Sequence, residues 1–232
     1  MEYVYAPGCA LIIYKPHLTD RIHRLLNEHI GEMPLLDTCC RNHPEVPKGA
    51  CVINTCPGCD RRYRSYYADS TTTSLWEVIA DGDWFTYPNY HGAKMSIQDA
   101  CPTRSQARVH KAIRTLLERM NIEVVEPERT GMNTICCGDA LYPARPLAEV
   151  EETMRKRAAQ MPEEDVAVYC VSCIKAMAIG GKRPRYVVDL LFSEETEPQV
   201  TDTVEWHRQI DEFTIRSSRK PTALAVGGIE GG

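Results

Sequence analysis

The chain has 232 residues, a quarter of them charged, and a formal net charge of -5. This length allows a sizeable hydrophobic core, and the mild negative charge excludes the basic surface of a nucleic-acid-binding protein. No run reaches the roughly 20 apolar residues of a membrane-spanning helix, and residues 1–14 lack the basic start of a signal peptide. We therefore expect a globular protein of the cytoplasm, without a nucleic-acid partner or a membrane span.

Eleven cysteines are unusual for that compartment. Reducing conditions there prevent a disulfide framework, and an odd number of cysteines cannot pair completely. Isolated buried cysteines would act as small hydrophobic residues, but these cysteines follow a repeated order along the chain. The composition and the order together favour metal or redox chemistry.

Residues 1–93 contain a single cysteine, an adjacent pair and a CxxC motif, in that order: Cys9, Cys39, Cys40, Cys56 and Cys59. Apolar residues at helical spacing predict a helix over residues 17–30. The short apolar run at residues 52–55 predicts a buried strand that ends at the CxxC motif. A Thr/Ser cluster at residues 71–74 is typical of a helix start and precedes an apolar helical stretch.

The same order returns in residues 94–195: Cys101, Cys136, Cys137, Cys170 and Cys173. Residues 105–120 predict a helix, and residues 122–125 and 166–169 predict strands. An apolar run at residues 186–192 predicts a helix after the second CxxC motif. The chain therefore contains an internal duplication, with a first half of residues 1–93 and a second half of residues 94–195.

The alternation of helices with short apolar strands predicts an α/β fold, with two pseudo-symmetric Rossmann-like halves and short parallel sheets. Ligands gather at the carboxyl ends of strands in such sheets, so the cysteines should converge there as one group per half. Residues 196–232 differ in composition and predict a C-terminal tail, with one helix over residues 203–215 and disorder or docking on a partner after Ser218.

Five converging thiolates exceed the four ligands of a closed zinc site. They suit a polynuclear iron–sulfur centre, because thiolates in such a centre bind different irons or bridge them. Neither half has the ferredoxin spacing of three cysteines in close series, which argues against an ordinary cubane ferredoxin.

Cys101, Cys136-Cys137-Gly138 and Cys170-Val171-Ser172-Cys173 resemble the CCG cysteine-rich domain, which occurs twice in one of the subunits of heterodisulfide reductase and in related iron–sulfur oxidoreductases. The duplicated pattern covers residues 1–192. The resemblance implies a non-cubane [4Fe-4S] cluster on the five cysteines of each half, and the reduction of a small disulfide or the reverse oxidation of two thiols. Because the chain has no flavin or nicotinamide motif, an iron–sulfur or flavin-containing partner should supply electrons.

The first half departs from the family pattern at two places. Arg41 follows the cysteine pair where the family has Gly, and 15 residues separate Cys40 from Cys56, whereas 32 separate Cys137 from Cys170. A helix predicted over residues 146–160 therefore has no room in the first half.

Several polar residues near the cysteines are candidates for the chemistry. Arg41 is a candidate contact to a cluster or an anionic substrate, the alternative being a solvated loop arginine. His43 is a candidate proton donor, the alternative being a loop histidine that contacts water. Cys51 is either an additional ligand or a buried core cysteine. Gly138 is predicted to allow a positive φ and a close approach of the backbone to a cluster. Further candidates for an anionic substrate are Lys175, Lys182, Arg183 and Arg185.

Three other functions remain open at this stage. The chain could be a non-catalytic electron-transfer subunit whose clusters relay charge within a larger complex. A structural zinc could occupy the first half, with one redox cluster in the second. A thioredoxin-like dithiol enzyme is the third alternative, but it leaves the paired cysteines unexplained.

Overall fold

The computed structural model describes residues 2–198 and 202–218. The fold is α/β, as the sequence predicted, with one parallel sheet of three strands and one of four. The first half contains β1 (Tyr3–Ala6), α1 (Cys9–Tyr14), α2 (Pro16–His29), β2 (Cys51–Asn54), α3 (Pro57–Tyr66), β3 (Thr71–Ser74) and α4 (Leu75–Asp81). The second half contains β4 (Ala93–Gln98), α5 (Ala107–Arg119), β5 (Ile122–Val125), α6 (Leu147–Ala158), β6 (Asp165–Val168), α7 (Val171–Ile179), β7 (Arg183–Tyr186) and α8 (Val187–Leu191). The last described element is α9 (Thr203–Ser218).

The two sheets follow one topological plan. The strand order is β1-β2-β3 in the first sheet and β5-β4-β6-β7 in the second, and every pairing is parallel. In the second sheet, β5 pairs with the outer side of β4. At the equivalent side of β1, the first half has only a single parallel bridge between Tyr5 and Leu35. The internal duplication inferred from the cysteines is therefore also present in the backbone.

Two predicted helix starts are strands in the structure, which corrects the sequence-based prediction. Residues 71–74 form β3, because their β-branched threonines pair with β2. Ser74, at the end of that strand, then caps α4 through a reciprocal capping box with Glu77. Tyr186 belongs to β7, which pairs with β6, so the following helix begins only at Val187.

The helix predicted over residues 146–160 is α6, and the first half has no helix between the cysteine pair and β2 apart from a short 3₁₀ turn, as expected. The helix predicted over residues 203–215 is α9. The disorder expected after Ser218 falls outside the described residues. Within the described part of the chain, none of the helices combines the length and the apolar character needed to cross a bilayer.

The two halves share one hydrophobic core. The indole ring of Trp76 in α4 packs edge-on against Tyr169 at the end of β6, with ring centres 6.3 Å apart. The Tyr14 hydroxyl donates to Asp189 of α8 at 2.7 Å, which joins α1 to the second half. This shared packing fixes the strand ends of both halves relative to each other.

Candidate metal centre: a cavity lined by ten cysteines

Ten of the eleven cysteines line a single cavity of about 430 Å³, which we name the cysteine cavity. The first cysteine group comprises Cys9, Cys39, Cys40, Cys56 and Cys59, and the second comprises Cys101, Cys136, Cys137, Cys170 and Cys173. All are free thiols. Four strands deliver cysteines from their carboxyl ends, namely β1, β2, β4 and β6. The convergence follows from parallel strands, whose carboxyl ends lie at one edge of a sheet.

The sulfur atoms meet in pairs that join distant segments of the chain. Such pairs include Cys9 with Cys39 at 3.9 Å, Cys40 with Cys59 at 3.4 Å and Cys101 with Cys136 at 3.7 Å. Over the described ranges, no group of three or more Cys, His, Asp or Glu side chains is arranged as a site for a metal ion. The sulfur atoms of each group thus contact one another in series around a shared space, since Cys39 contacts both Cys9 and Cys40, and Cys137 contacts both Cys136 and Cys173.

Contacts between thiols shift their pKa values in opposite directions. The contacts with Cys101 and then Cys137 lower the pKa of Cys136, while the contact with Cys136 raises the pKa of each partner. In the first group, contacts with its neighbours lower the pKa of Cys39, and the contact with Cys39 raises that of Cys9. In the same group, the contact with Cys59 lowers the pKa of Cys56 to about 7. A thiol contact therefore favours the thiolate on one sulfur and disfavours it on the partner, because adjacent thiolates repel. Binding of a metal would displace the remaining protons.

Gly8 lets the first cysteine group pack closely, a role that the sequence pattern did not predict. Its φ is +83°, and a Cβ atom at this position would lie only 2.6 Å from the Cβ of Cys56. The signal in the sequence was a glycine immediately before a cysteine of the repeated pattern. The corresponding residue of the second half is Ala100, whose φ of -70° needs no glycine.

Gly138 has the positive φ that the sequence predicted, +109°. Its backbone N–H donates to the sulfur of Cys136 at 3.4 Å. A Cβ at this position would lie 3.0 Å from Cγ of Met154 and 3.2 Å from the carbonyl oxygen of Val150. The close approach that the structure shows is therefore to helix α6.

Asp99 ties together the segments that carry the second cysteine group. It is fully buried at the end of β4, and Arg114 binds both of its carboxylate oxygens, at 2.9 and 2.8 Å. The Tyr169 hydroxyl donates to it at 3.0 Å, and the backbone N–H of Gly131 at 2.7 Å. Burial raises the pKa of Asp99, but the contacts with Arg114 and Gly131 outweigh burial and hold it below the ordinary value.

Replacing Asp99 by Asn should lower the free energy of unfolding at pH 7 by about 3 kcal/mol, because Arg114 loses its buried partner. A carboxylate whose folded pKa is depressed stabilises the fold above its unfolded pKa, which is 3.8 for Asp99, and this contribution is lost as pH falls through the folded value. The difference in free energy of unfolding between Asp99→Asn and the unchanged protein, measured by urea unfolding, should therefore be smaller at pH 3.5 than at pH 7. Asp69→Asn, in an exposed pair with Lys48, is the control and should cost less than about 0.5 kcal/mol. If Asp99→Asn loses the same free energy of unfolding at both pH values, the stabilising role of the ionised Asp99 is contradicted.

Helix α9, which the sequence placed in a C-terminal tail, covers part of the cysteine cavity. The Thr214 hydroxyl donates to the sulfur of Cys39 at 3.3 Å, and the Ser217 hydroxyl accepts from the backbone N–H of Cys39 at 3.3 Å. His207 and Ile210 line the cavity itself. The C-terminal helix is thus part of the site.

A buried charge cluster stands beside the second cysteine group. Asp139, directly after Gly138, forms an ion pair with Lys175 of α7 and lies 3.3 Å from Nε2 of His207. Burial raises the pKa of Asp139, but His207 and Lys175 outweigh this and lower it. Lys175 is only 3% exposed and already paired, so it is not the loop cation that the sequence suggested.

The structure separates the other candidates. Arg41 lines the cysteine cavity and pairs with Asp211 of α9 at 3.0 Å. His43 is not among the lining residues, and its ring instead meets Tyr66 edge-on at 5.3 Å. Cys51 is buried at the start of β2, at the end of that strand opposite to the CxxC motif, and does not line the cavity.

The three basic residues near β7 do not line the cysteine cavity either. Lys182 donates to the carbonyl oxygens of Met161 and Glu163, and Arg183 and Arg185 both pair with Asp165. The cations that do line the cavity besides Arg41 are Arg61 and Arg62 of α3, which the sequence did not single out. Their only signal was their position, two and three residues after the last cysteine of the first CxxC motif.

No model of a known protein family matches the chain, and no curated protein is significantly similar to it.

Proposed function

We propose that the chain is an iron–sulfur oxidoreductase subunit that reduces a disulfide, or runs the reverse oxidation of two thiols, at non-cubane [4Fe-4S] clusters. The observation that carries this proposal is the convergence of ten free cysteines, in two groups of five, on one cavity. These are the ten positions that the resemblance to CCG domains implied. The function of the CCG family is thus the one that uses every member of both groups.

The chemistry of the lining side chains fits such clusters. Both groups offer only sulfur ligands from side chains, and thiolate sulfur is the soft donor that iron–sulfur clusters require. The backbone N–H of Gly138 already donates to a sulfur, which is the kind of contact that tunes such centres. When bound, the clusters would supply single electrons and iron as a ligand for substrate sulfur.

A residue of the chain can supply one of the protons that the reaction consumes, and solvent can supply the other. Reduction of one disulfide consumes two electrons and two protons, and it releases two thiols. His207 lines the cavity and is oriented by Asp139, so this histidine takes the proton-donor role that the sequence predicted for His43.

The two cysteine groups line one cavity, which the clusters and a small substrate would share. Because both groups line the same space, a disulfide there would be near both. Electrons would come from an iron–sulfur or flavin-containing partner protein, and a reducing compartment such as the cytoplasm would keep the ten thiols available.

Anaerobic reconstitution with iron and sulfide, followed by metal analysis, tests the clusters. About eight irons per chain support two clusters, whereas about four irons with one zinc support a zinc site in the first half. A chain that binds no iron overturns the proposal.

Spectroscopy of the reduced protein with added disulfides tests the reaction. A disulfide that reoxidises the reduced clusters supports the enzyme. If no disulfide does so, the shared cavity favours the alternative of an electron-transfer subunit, because two centres in one cavity would be near enough to exchange electrons.

A further inference from the structure

Arg157 of α6 is a buried cation whose hydrogen-bond partners are all uncharged. It is only 1% exposed. Its Nε donates to Oε1 of Gln98 at 2.5 Å, its Nη1 to Oε1 of Gln160 at 2.8 Å, and its Nη2 to the carbonyl oxygen of Arg129 at 2.7 Å. Two amide oxygens and one peptide oxygen therefore hold the guanidinium, and none of them carries a negative charge.

The buried lysines differ from Arg157 in this respect. Lys15 pairs with Asp189, and Lys175 pairs with Asp139. In the part of the chain that the structure describes, no carboxylate forms an ion pair with Arg157. Burial of a charge is costly unless an opposite charge compensates it. Arg157 is therefore a buried cation that needs an anion nearby.

The second cysteine group can supply that anion. Burial lowers the pKa of Arg157, and negative charge at Cys173, Asp99 and Cys137, in decreasing order, raises this pKa. Arg114 already binds both carboxylate oxygens of Asp99, which leaves the two cysteines. Metal binding ionises such thiols, and the thiolates make an iron–sulfur cluster a net anion. A cluster on the second cysteine group would thus place negative charge near Arg157.

Gln98 connects Arg157 to the segment that carries the cysteine pair. This glutamine is fully buried, and its amide group donates to the carbonyl oxygen of Ile135 at 3.1 Å. Ile135 directly precedes Cys136 in the chain. The guanidinium is therefore held in a fixed position relative to the second cysteine group.

The first half has no equivalent of this buried arginine, because it has no counterpart of α6. The arginines that line its side of the cysteine cavity, namely Arg41, Arg61 and Arg62, are exposed or half-buried. Water and salt screen the charges of exposed groups far more than those of buried groups. A buried, unscreened cation is thus a feature of the second cysteine group.

We propose that Arg157 is the buried counter-ion of the cluster on the second cysteine group and raises the reduction potential of that cluster. This inference rests on the cluster part of the proposed function. Reduction adds one electron, which the iron–sulfur or flavin-containing donor protein supplies, and no bond breaks in this step. Because the cluster becomes more negative, a buried cation stabilises its reduced state more than its oxidised state.

A redox titration of the anaerobic, reconstituted holoprotein, monitored by electron paramagnetic resonance, tests this proposal. Arg157→Met removes the charge and should lower the equilibrium constant for reduction of one cluster about tenfold, which is a potential lower by about 59 mV for one electron. The potential of the other cluster should stay unchanged. Arg157→Lys keeps the charge and should keep most of the potential. Arg155→Met, on the same helix but exposed and paired with Glu151, is the control and should shift neither cluster.

Iron content gives a second readout that does not depend on the potential. If Arg157→Met loses the iron of one cluster while Arg157→Lys retains about eight atoms, the charge is needed to hold the cluster, which supports the proposal. Equal losses of iron in these two variants would mean that Arg157 has only a structural role. Unchanged potentials with full iron content, equal shifts of both clusters, or equal shifts in the Met and Lys variants would each overturn the counter-ion role.

The outcomes also separate this proposal from the function beneath it. A wild-type protein that binds no iron overturns both. Clusters that no disulfide reoxidises overturn the disulfide reaction alone, because the role of Arg157 depends on the cluster and not on the substrate.

Discussion

Replacing Cys137 by Ser should remove about half of the iron that the anaerobically reconstituted protein binds, from about eight atoms to about four. Cys137 is buried, and its thiol contacts both Cys136 and Cys173, so its sulfur is central to the second cysteine group. A serine oxygen preserves the size of the side chain but is a harder and poorer ligand for iron. The first group shares no ligand with the second, so its iron should remain.

Two matched variants complete this experiment. Cys51→Ser removes a buried thiol that does not line the cavity, and it should leave the iron content unchanged. Cys40→Ser makes the corresponding change in the first group and should remove the other half. Equal iron loss in all three variants would show that lower stability, rather than ligand removal, causes the effect.

The sequence predicted the elements that depend on local patterns. Hydrophobic spacing over residues 17–30 and 105–120 identified α2 and α5, because an apolar stripe at helical period must face a core. The position of Cys56 after β2 and of Cys170 after β6 was predicted correctly, since parallel strands place their carboxyl ends together. The two cysteine pairs were also expected directly after strands, but they lie in loops, and β5 ends eleven residues before Cys136. Local hydrophobic spacing and one rule of sheet topology were therefore sufficient to predict these helices and the cysteines that follow strands.

Contacts between distant segments could not be predicted in the same way. Thr214 and Cys39 are 175 residues apart in the sequence. The sequence of α9 alone does not indicate that this helix packs against the cavity. The same docking of α9 places His207 at the cavity, where sequence reasoning had expected His43. Pairing with β2 likewise decided that residues 71–74 form a strand, against their local resemblance to a helix start.

The two differences between the first and the second half, at the residue after the cysteine pair and in the spacing that follows, have one physical cause. Gly138 has a positive φ and sits against α6, where a Cβ would meet Met154 and Val150. The first half has no counterpart of α6, and Arg41 lies within a 3₁₀ turn with an ordinary backbone conformation. Loss of the helix therefore removes the need for glycine, and α9 packs at that place through Asp211 and Thr214.

Alanine at the two equivalent positions should consequently have unequal effects. Gly138→Ala should lower the free energy of unfolding by about 3 kcal/mol, because it combines a strained positive φ with tight contacts to α6. Arg41→Ala removes only an exposed ion pair with Asp211 and should cost less than about 1 kcal/mol. Denaturant unfolding of the protein without bound metal measures both.

The same two variants should differ in iron content after reconstitution. Gly138→Ala should lower the occupancy of the second cysteine group, because any shift of Gly138 also moves the N–H that contacts Cys136. Arg41→Ala should retain the iron of both groups, since its backbone conformation accepts alanine. Similar losses of stability and iron in the two variants would mean that α6 is not the reason for glycine after the second cysteine pair.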